Sequence, residues 1–553
     1  MKRLLIICLS LALLAACRPA GVSVAPVTGL PQGSGAYPWW NDTVFYEVFV
    51  RSFYDSNGDG IGDFNGLAQK LDYLNDGNPK TNTDLGVTGL WLMPVNPASS
   101  YHGYNVTDYY TTNPQYGTLD DFKNLVAAAH QRGLRVIIDL VLNHTSSQHP
   151  WFLDSQDPGS VYRNWYIWSP DEPGGAGWHA APNGYYLGIF EAGMPDLNYT
   201  NPAVTQEMQA VARFWLQETG IDGFRLDAAK FLIEQGTLQS HSPATLAWLD
   251  DFRKYARSVE PQALNVGEVW DNSVAVSQYI NAGAVDLAFD FDLAQAYVSS
   301  ARLGNALQAS QVLSRDLRLF AAPSGLPGQF ASFLSNHDQA RPMSMLGEDT
   351  GKAKVAASLL LTTPGVPFMY YGEEIGMLGL KPDERLRTPM QWSGKNQAGF
   401  SQGEAWEAPN DDYAKRNVAA QTNDPDSLLA HYRALLRLRS AHAALRIGEF
   451  QQVESCQPGV WAFLRSAGEP NAQETVLVVI NLSAKCVTNC NLSLAAGPFS
   501  ERQRAVQLLA WESLPEGLPP LLPNLQGGFD AYQPVLELPP FSTLILQIRP
   551  LKK

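Results

Sequence analysis

Cysteine is scarce in this chain, five among 553 residues, and no Cys–His cluster suggests a zinc site. Positive charge is also short. Lys and Arg number 39 against 54 Asp and Glu, and the net charge of −15 leaves nothing basic to gather a polyanion, which excludes nucleic acid or a phosphate-rich partner. Charged residues make up only 17%, too few for a disordered chain, whereas 45% hydrophobic and 11% aromatic residues suffice for large cores. No internal repeat or low-complexity tract is evident. The apolar run Leu4 to Leu14 is too short to span a bilayer permanently.

That run, preceded by Lys2-Arg3, reads as a secretory signal over residues 1–16. Leu14-Ala15-Ala16-Cys17 resembles a bacterial lipobox, implying export, lipidation of Cys17 and attachment to a membrane with the folded part outside the cytoplasm. Residues 17–38, rich in Pro, Gly, Val and Ser, are expected to be a flexible tether. Of the remaining cysteines, Cys456, Cys486 and Cys490 allow one disulfide and one thiol, with the pairing open.

Two or three domains are expected at this length. Eight apolar runs, Phe45–Phe53, Gly89–Val95, Arg135–Leu142, Gly223–Leu226, Ala263–Val269, Leu287–Phe291, Phe330–Leu334 and Val366–Tyr371, are mostly separated by helix-like stretches. Strand–helix alternation at this length predicts an α/β fold, a (β/α)8 TIM barrel. Residues 145–200 break the alternation, being rich in Pro, Gly, Trp and Tyr. After Leu428–Leu445 the pattern turns to alternating segments such as Val460–Leu464 and Thr475–Asn481, as in an antiparallel β-sandwich.

Four short segments close strand-like runs: Asp139-Leu-Val-Leu-Asn143-His144, Gly223-Phe-Arg225-Leu-Asp227-Ala-Ala-Lys230, Gly267-Glu268-Val-Trp270 and Phe333-Leu-Ser-Asn336-His337-Asp338. In a parallel barrel the C-terminal strand ends converge on one face, so Asp227, Glu268 and Asp338 would meet there with Arg225, His144 and His337. Crowded carboxylates with an arginine and imidazoles suit glycosidic bond cleavage through an oxocarbenium-like transition state.

In this order, the four segments are similar to the signature regions of the α-amylase family, glycoside hydrolase family 13, from about Trp39 to the C-terminus. The resemblance implies a barrel (domain A, 39–144 and 201–445), an inserted domain B after strand 3 (145–200) and a C-terminal β-sandwich, domain C (446–553). It implies Asp227 as nucleophile, Glu268 as general acid and base, and Asp338 as binder of ring hydroxyls. Arg225, two positions before Asp227 on a strand, projects to the same face and is expected to lower its pKa; neighbouring carboxylates and partial burial near Trp270 are expected to raise that of Glu268. His102, His144 and His337 match histidines that hydrogen-bond the sugar at the cleavage point, Tyr104 the tyrosine that stacks beneath it, and Lys230 a lysine on the leaving-group side. Asp139 is expected to orient Arg225.

Asp55-Ser-Asn57-Gly-Asp59-Gly-Ile61-Gly-Asp63 sets oxygen donors at alternate positions around glycines, as a hard cation requires. It resembles the Ca2+ loop of α-glucosidase-like members, with Ile61 offering its carbonyl. Asn143 matches the asparagine of a second Ca2+ site between domains A and B, whose partners are not identifiable. Two activities compete. Met194-Pro195-Asp196-Leu197-Asn198 resembles the group between oligo-1,6-glucosidases and neopullulanases, which holds many α-amylases. Exo-acting α-glucosidases carry an acid three residues before the stacking tyrosine; here it is Tyr101, which favours endo action on an α-glucan. The Ca2+ loop and Thr388-Pro-Met-Gln-Trp392 resemble those of α-glucosidases and trehalose synthases, and the alternative is an exo-acting α-glucosidase, oligo-1,6-glucosidase or trehalose synthase. A monomer is expected, and the remote alternative is a non-catalytic glucan-binding module.

Overall fold

The computed structural model describes residues 27–551 except 236–237, 321–324, 327, 470–472 and 516. The leader and Cys17 lie outside the described residues. Eight parallel strands are arranged as a barrel: β1 (Phe45–Val48), β2 (Gly89–Leu92), β3 (Arg135–Val141), β4 (Gly223–Asp227), β5 (Leu264–Gly267), β6 (Leu287–Ala288), β7 (Ala331–Ser332) and β8 (Val366–Tyr370). Seven neighbouring pairs form ladders, and a parallel bridge between Phe289 and Ala331 joins β6 to β7. Each strand begins within one of the eight apolar runs, only β4 passing one residue beyond its run to Asp227, because a parallel sheet covered on both faces leaves few positions for polar residues. The first run proved shorter as a strand: β1 ends at Val48 and Val50–Phe53 is a helical turn.

Inside the barrel, Phe45, Trp91, Ile137, Leu264, Val266, Phe289, Phe333 and Phe368 form a closed core. Phe45 stacks on Phe368 at 4.5 Å. Strand alternation sends every second side chain inward, so Phe45 and Glu47, Ile137 and Asp139, and Arg225 and Asp227 point to the axis in rising layers. Helices such as Leu119–Gln131, Pro202–Phe214, Pro243–Val259 and Thr350–Thr362 form the outer ring. Their starts are written locally: Thr118 and Asp121 make a capping box, and Ser242 caps a helix with Pro243 in its first turn.

Between β3 and β4 a small antiparallel sheet, Trp168–Ser169, Gly184–Leu187 and Trp178–Ala181, stands beside the barrel mouth. Beyond Gly448 comes a five-stranded antiparallel sheet of β9 (Glu449–Val453), β10 (Val460–Ala467), β11 (Glu474–Asn481), β12 (Gln503–Leu509) and β13 (Thr543–Pro550), in the order β9-β10-β11-β13-β12. Two short antiparallel ladders accompany it over a separate core that includes Leu464, Leu477, Phe529 and Leu546. Cys456 pairs with Cys490, and Cys486 is an exposed free thiol.

The expected tether is corrected at its C-terminal half, because residues 27–38 are bound to the barrel. Val27 N–H donates to the Ser440 carbonyl, the Arg135 guanidinium donates to the Pro31 carbonyl at 2.8 Å, and the Ser34 hydroxyl donates to Asp42.

Candidate active site

The strand ends bring the predicted acids onto one guanidinium. Arg225, 1% exposed, donates from Nη1 to Asp139 and to Asp227 at 2.6 Å each, and its Nη2 forms an ion pair with Glu268 at 2.9 Å. Asp139 and Arg225 are direct neighbours in the β3–β4 register. Immediately after Asp227 the backbone turns left-handed at Ala228, φ 49°, an uncommon conformation for a residue with a Cβ. The turned N–H of Ala228 reaches the Glu268 carboxylate at 3.0 Å.

A buried chain continues across the barrel. The Tyr104 hydroxyl donates to Asp139 at 3.1 Å and meets His337 Nε2 at 2.7 Å, and His337 Nδ1 meets Glu47 at 2.5 Å. Asp338 takes a hydrogen bond from Arg387 at 2.7 Å and lies 3.2 Å from His337 Nε2. Glu47, Arg387 and Trp91, whose indole N–H donates to Asp139, were not singled out from sequence. Glu47 had a visible signal, a carboxylate inside the apolar run Phe45-Tyr-Glu-Val; Arg387 adjoins the Thr388–Trp392 segment already noted.

Electrostatics sets Asp338 apart from the other two acids. Burial raises Glu268 above the usual carboxylate range, with Arg225 pulling back and Asp227 and Asp338 adding to the rise. Asp227 is corrected in direction: burial pushes it up to about 6, Asp139 reinforcing the rise, so that Arg225 offsets the shift without reversing it. Asp338 lies well below the usual range, because His337 and Arg387 outweigh its burial. His337 rises to about 10: burial opposes its charge, but Asp338 and Glu47 prevail. Burial lowers His102 to about 4 and His144 to about 3, leaving both neutral.

These groups face a cavity of about 380 Å³ lined by His102, Tyr104, His144, Asp227, Glu268 and Asp338, together with Phe190, Glu191 and Met194 of the inserted segment. Nε2 of His144 is buried without a hydrogen-bond partner. His102 accepts the Tyr104 N–H through Nδ1. Lys230 is placed beside this group but spends its ammonium on the Trp270 carbonyl at 2.6 Å and on Asp271 at 3.3 Å. Tyr101 stacks on Trp406 at 5.2 Å and accepts a hydrogen bond from Arg387.

The Asp55–Asp63 loop fits a cation only in part. Asn57 and Asp59 make successive Asx turns, and their side chains approach to 3.1 Å. Both oxygens of Asp55, however, are taken by the N–H groups of Asn57, Gly58 and Gly60 and by the Ser401 hydroxyl, and Asp63 caps the helix Phe64–Gln69. Gly60 is obligatory, since a Cβ there would stand 1.9 Å from the Glu404 carbonyl oxygen. Asn143 turns its amide N–H toward Asp196 at 2.9 Å. Among the described residues no three acidic, imidazole or thiol groups converge as a metal cage.

The α-amylase catalytic-domain family model matches residues 47–448. The chain is 40% identical to "Alpha-amylase 3" of Dictyoglomus thermophilum over 451 residues, 81% of this chain and 86% of that one. It is 36% identical to "Trehalose synthase/amylase TreS" of Mycolicibacterium smegmatis over 513 residues, 80% of this chain and 84% of the relative. The crystal structure of an α-amylase from H. orenii superposes with a TM-score of 0.78 at 39% identity, covering 91% of this chain and 99% of that one.

Proposed function

The chain belongs to the α-amylase family of glycoside hydrolases, and from that premise we propose that it is a retaining, endo-acting α-amylase that cleaves α-1,4-glucosidic bonds in starch and maltooligosaccharides. The glycone end of the site carries this reading. Where an exo-acting enzyme places a charged clamp, Tyr101 lies against Trp406 and offers an uncharged aromatic wall.

In the first step Glu268, whose burial favours the protonated form, gives its proton to the glycosidic oxygen while the Asp227 carboxylate attacks the anomeric carbon. In the second, Glu268 takes a proton from water, which displaces Asp227 with retention. That both acids share one guanidinium supports the close spacing of a nucleophile and an acid, rather than the wide gap that admits a water between them. Asp338, ionised and braced by Arg387, and His144, with its free ring nitrogen, hold the sugar hydroxyls. Tyr104 forms the floor.

We also propose lipid attachment through Cys17, action as a monomer and calcium in the Asp55–Asp63 loop, where Asn57, Asp59 and the Ile61 carbonyl would hold the ion. No catalytic step depends on that ion. The second reading, exo-acting α-glucosidase or trehalose synthase, is favoured by the 36% identity to the mycobacterial-type relative. Product sizes separate the two. Amylose is expected to lose viscosity early and release maltose to maltohexaose as α-anomers, whereas glucose alone with unchanged viscosity overturns the endo reading.

A further inference from the structure

At the base of the barrel, the end away from Asp227 and Glu268, three arginines are buried around one carboxylate. Arg439, Arg446 and Arg465 are 1%, 3% and 1% exposed. Arg446 pairs with Asp42 at 2.8 Å. Arg439 and Arg465 make no ion pair among the described residues and turn instead to backbone carbonyls where the helix Thr350–Thr362 ends. Arg439 donates to the carbonyls of Leu361, Thr363 and Gly365, and Arg465 to those of Thr362 and Gly448. Carbonyl dipoles orient a guanidinium but bring no net charge to oppose it, and a buried charge is costly unless it is paired. The imbalance reaches the groups themselves. Burial lowers Arg465 to about 9, and burial together with Arg465 and Arg446 lowers Arg439 well below the usual guanidinium range. In a chain of net charge −15, this surplus of buried positive charge is a local exception.

A cavity of about 400 Å³ opens beside them, between the barrel and the C-terminal sheet. Arg446, Arg465 and Asn41 line it, with Gly448 and Glu449 at the start of β9. Asn41 is 3% exposed, and its side-chain oxygen has no hydrogen-bond partner. Turned end for end, that amide offers its N–H groups from the same place. Glu449, the acid on the wall, is exposed and forms no ion pair among the described residues. We propose that this cavity binds a small inorganic oxyanion, phosphate or sulfate, as the counter-charge of the arginine cluster, held by the guanidinium groups of Arg465 and Arg446 and by the amide of Asn41. The planar fork of a guanidinium matches two oxygens of a tetrahedral anion. Arg465 stands on β10 and Asn41 in the turn that leads into β1, so the anion ties the C-terminal sheet to the barrel. Its effect falls on that junction and not on the cleft at the other end.

Equilibrium dialysis of the full chain against radiolabelled phosphate, with ionic strength held constant by chloride, is expected to give one saturable site that sulfate displaces and chloride does not. The melting temperature should rise with phosphate by about 2 °C or more and then level off. Arg465→Met removes the charge and is expected to abolish both effects. That change also takes the donor from the Thr362 and Gly448 carbonyls, so Asn41→Ala serves as a second variant. It should weaken phosphate several-fold and leave the melting temperature in chloride alone unchanged. Glu449→Gln should tighten binding, because it removes a like charge from the wall. No bound phosphate in the wild type, displacement by chloride as readily as by sulfate, or undiminished binding in both Arg465→Met and Asn41→Ala overturns the site. A lower melting temperature for Glu449→Gln in chloride alone would make Glu449 itself the counter-charge, and would overturn it equally.

Discussion

Arg225 divides its two terminal nitrogens among three carboxylates, and burial raises all three against its pull. Asp227 must be ionised to attack, and a carboxyl group is protonated below its pKa; with burial lifting it to about 6, activity should fall as pH drops through about 6. Asp227→Asn keeps the shape but cannot form the ester, so turnover should drop by several orders of magnitude while glucan binding, followed by calorimetry, persists. Retention of more than about 1% of the wild-type rate would remove Asp227 from the nucleophile's role. Glu47 acts at one remove, as a positioning residue. Its carboxylate holds His337 Nδ1, and with Asp338 it keeps the imidazolium charged up to about pH 10. Glu47→Gln should let His337 become neutral at a lower pH, visible in the nitrogen NMR shifts of labelled histidine, and lower kcat more than it changes KM. Unchanged histidine shifts would show that the charge is held by Asp338 alone.

At the scale of elements, one helix cap and one loop are where pH and calcium are expected to act on stability. Asp290 caps the helix Phe291–Leu303 and approaches Asp316 of the neighbouring helix Leu307–Leu319; burial first, and then Asp316, lifts Asp290 well above the carboxylate range. Facing the pair are Ser273, which donates to Asp290, and Arg315, which binds Asp316 and Asp292. A carboxyl group whose folded pKa exceeds its unfolded one favours the native state at low pH, and that contribution is lost as pH rises from the unfolded toward the folded value. Asp290→Asn retains the capping oxygen and removes the titration. Its melting temperature should therefore fall less than the wild type's between pH 5 and pH 8, and parallel curves would assign the pH dependence elsewhere. The Asp55–Asp63 loop separates two causes of stability. Asp55→Ala orphans several loop N–H groups and should lower the melting temperature with or without calcium. Asp59→Ala should abolish only the rise that calcium confers. If chelation leaves the wild type unchanged, the loop stands on its own hydrogen bonds. Legibility follows the same physics. The eight strands were visible because buried parallel strands must be apolar, and Asp227, Glu268, His144 and Asp338 because each closes such a run. Arg387, 49 positions from Asp338, and Glu47, 290 from His337, meet their partners only through barrel closure, which no local pattern records.

For the molecule as a whole, the question is which way the cleft faces. Val27 and Pro31 are bound at Ser440 and Arg135, and Arg135 opens β3, so the N-terminal segment sits at the end of the barrel opposite the one where the strands release Asp227 and Glu268. Among the described residues no helix is long and apolar enough to cross a membrane, which leaves lipidated Cys17 as the proposed anchor. A lipid on Cys17, as proposed, would be joined to the chain at the barrel's base and would leave the cleft on the opposite end, where a long glucan has room to enter. The full chain should accordingly partition into the detergent phase of a cloud-point separation and Cys17→Ser into the aqueous phase, with both hydrolysing amylose and maltotriose at the same relative rates. Recovery of the wild type from the aqueous phase would remove the anchor. A membrane-bound form that cleaved maltotriose but not amylose would instead place the cleft against the bilayer, contrary to the docking of Val27 and Pro31 at the opposite end.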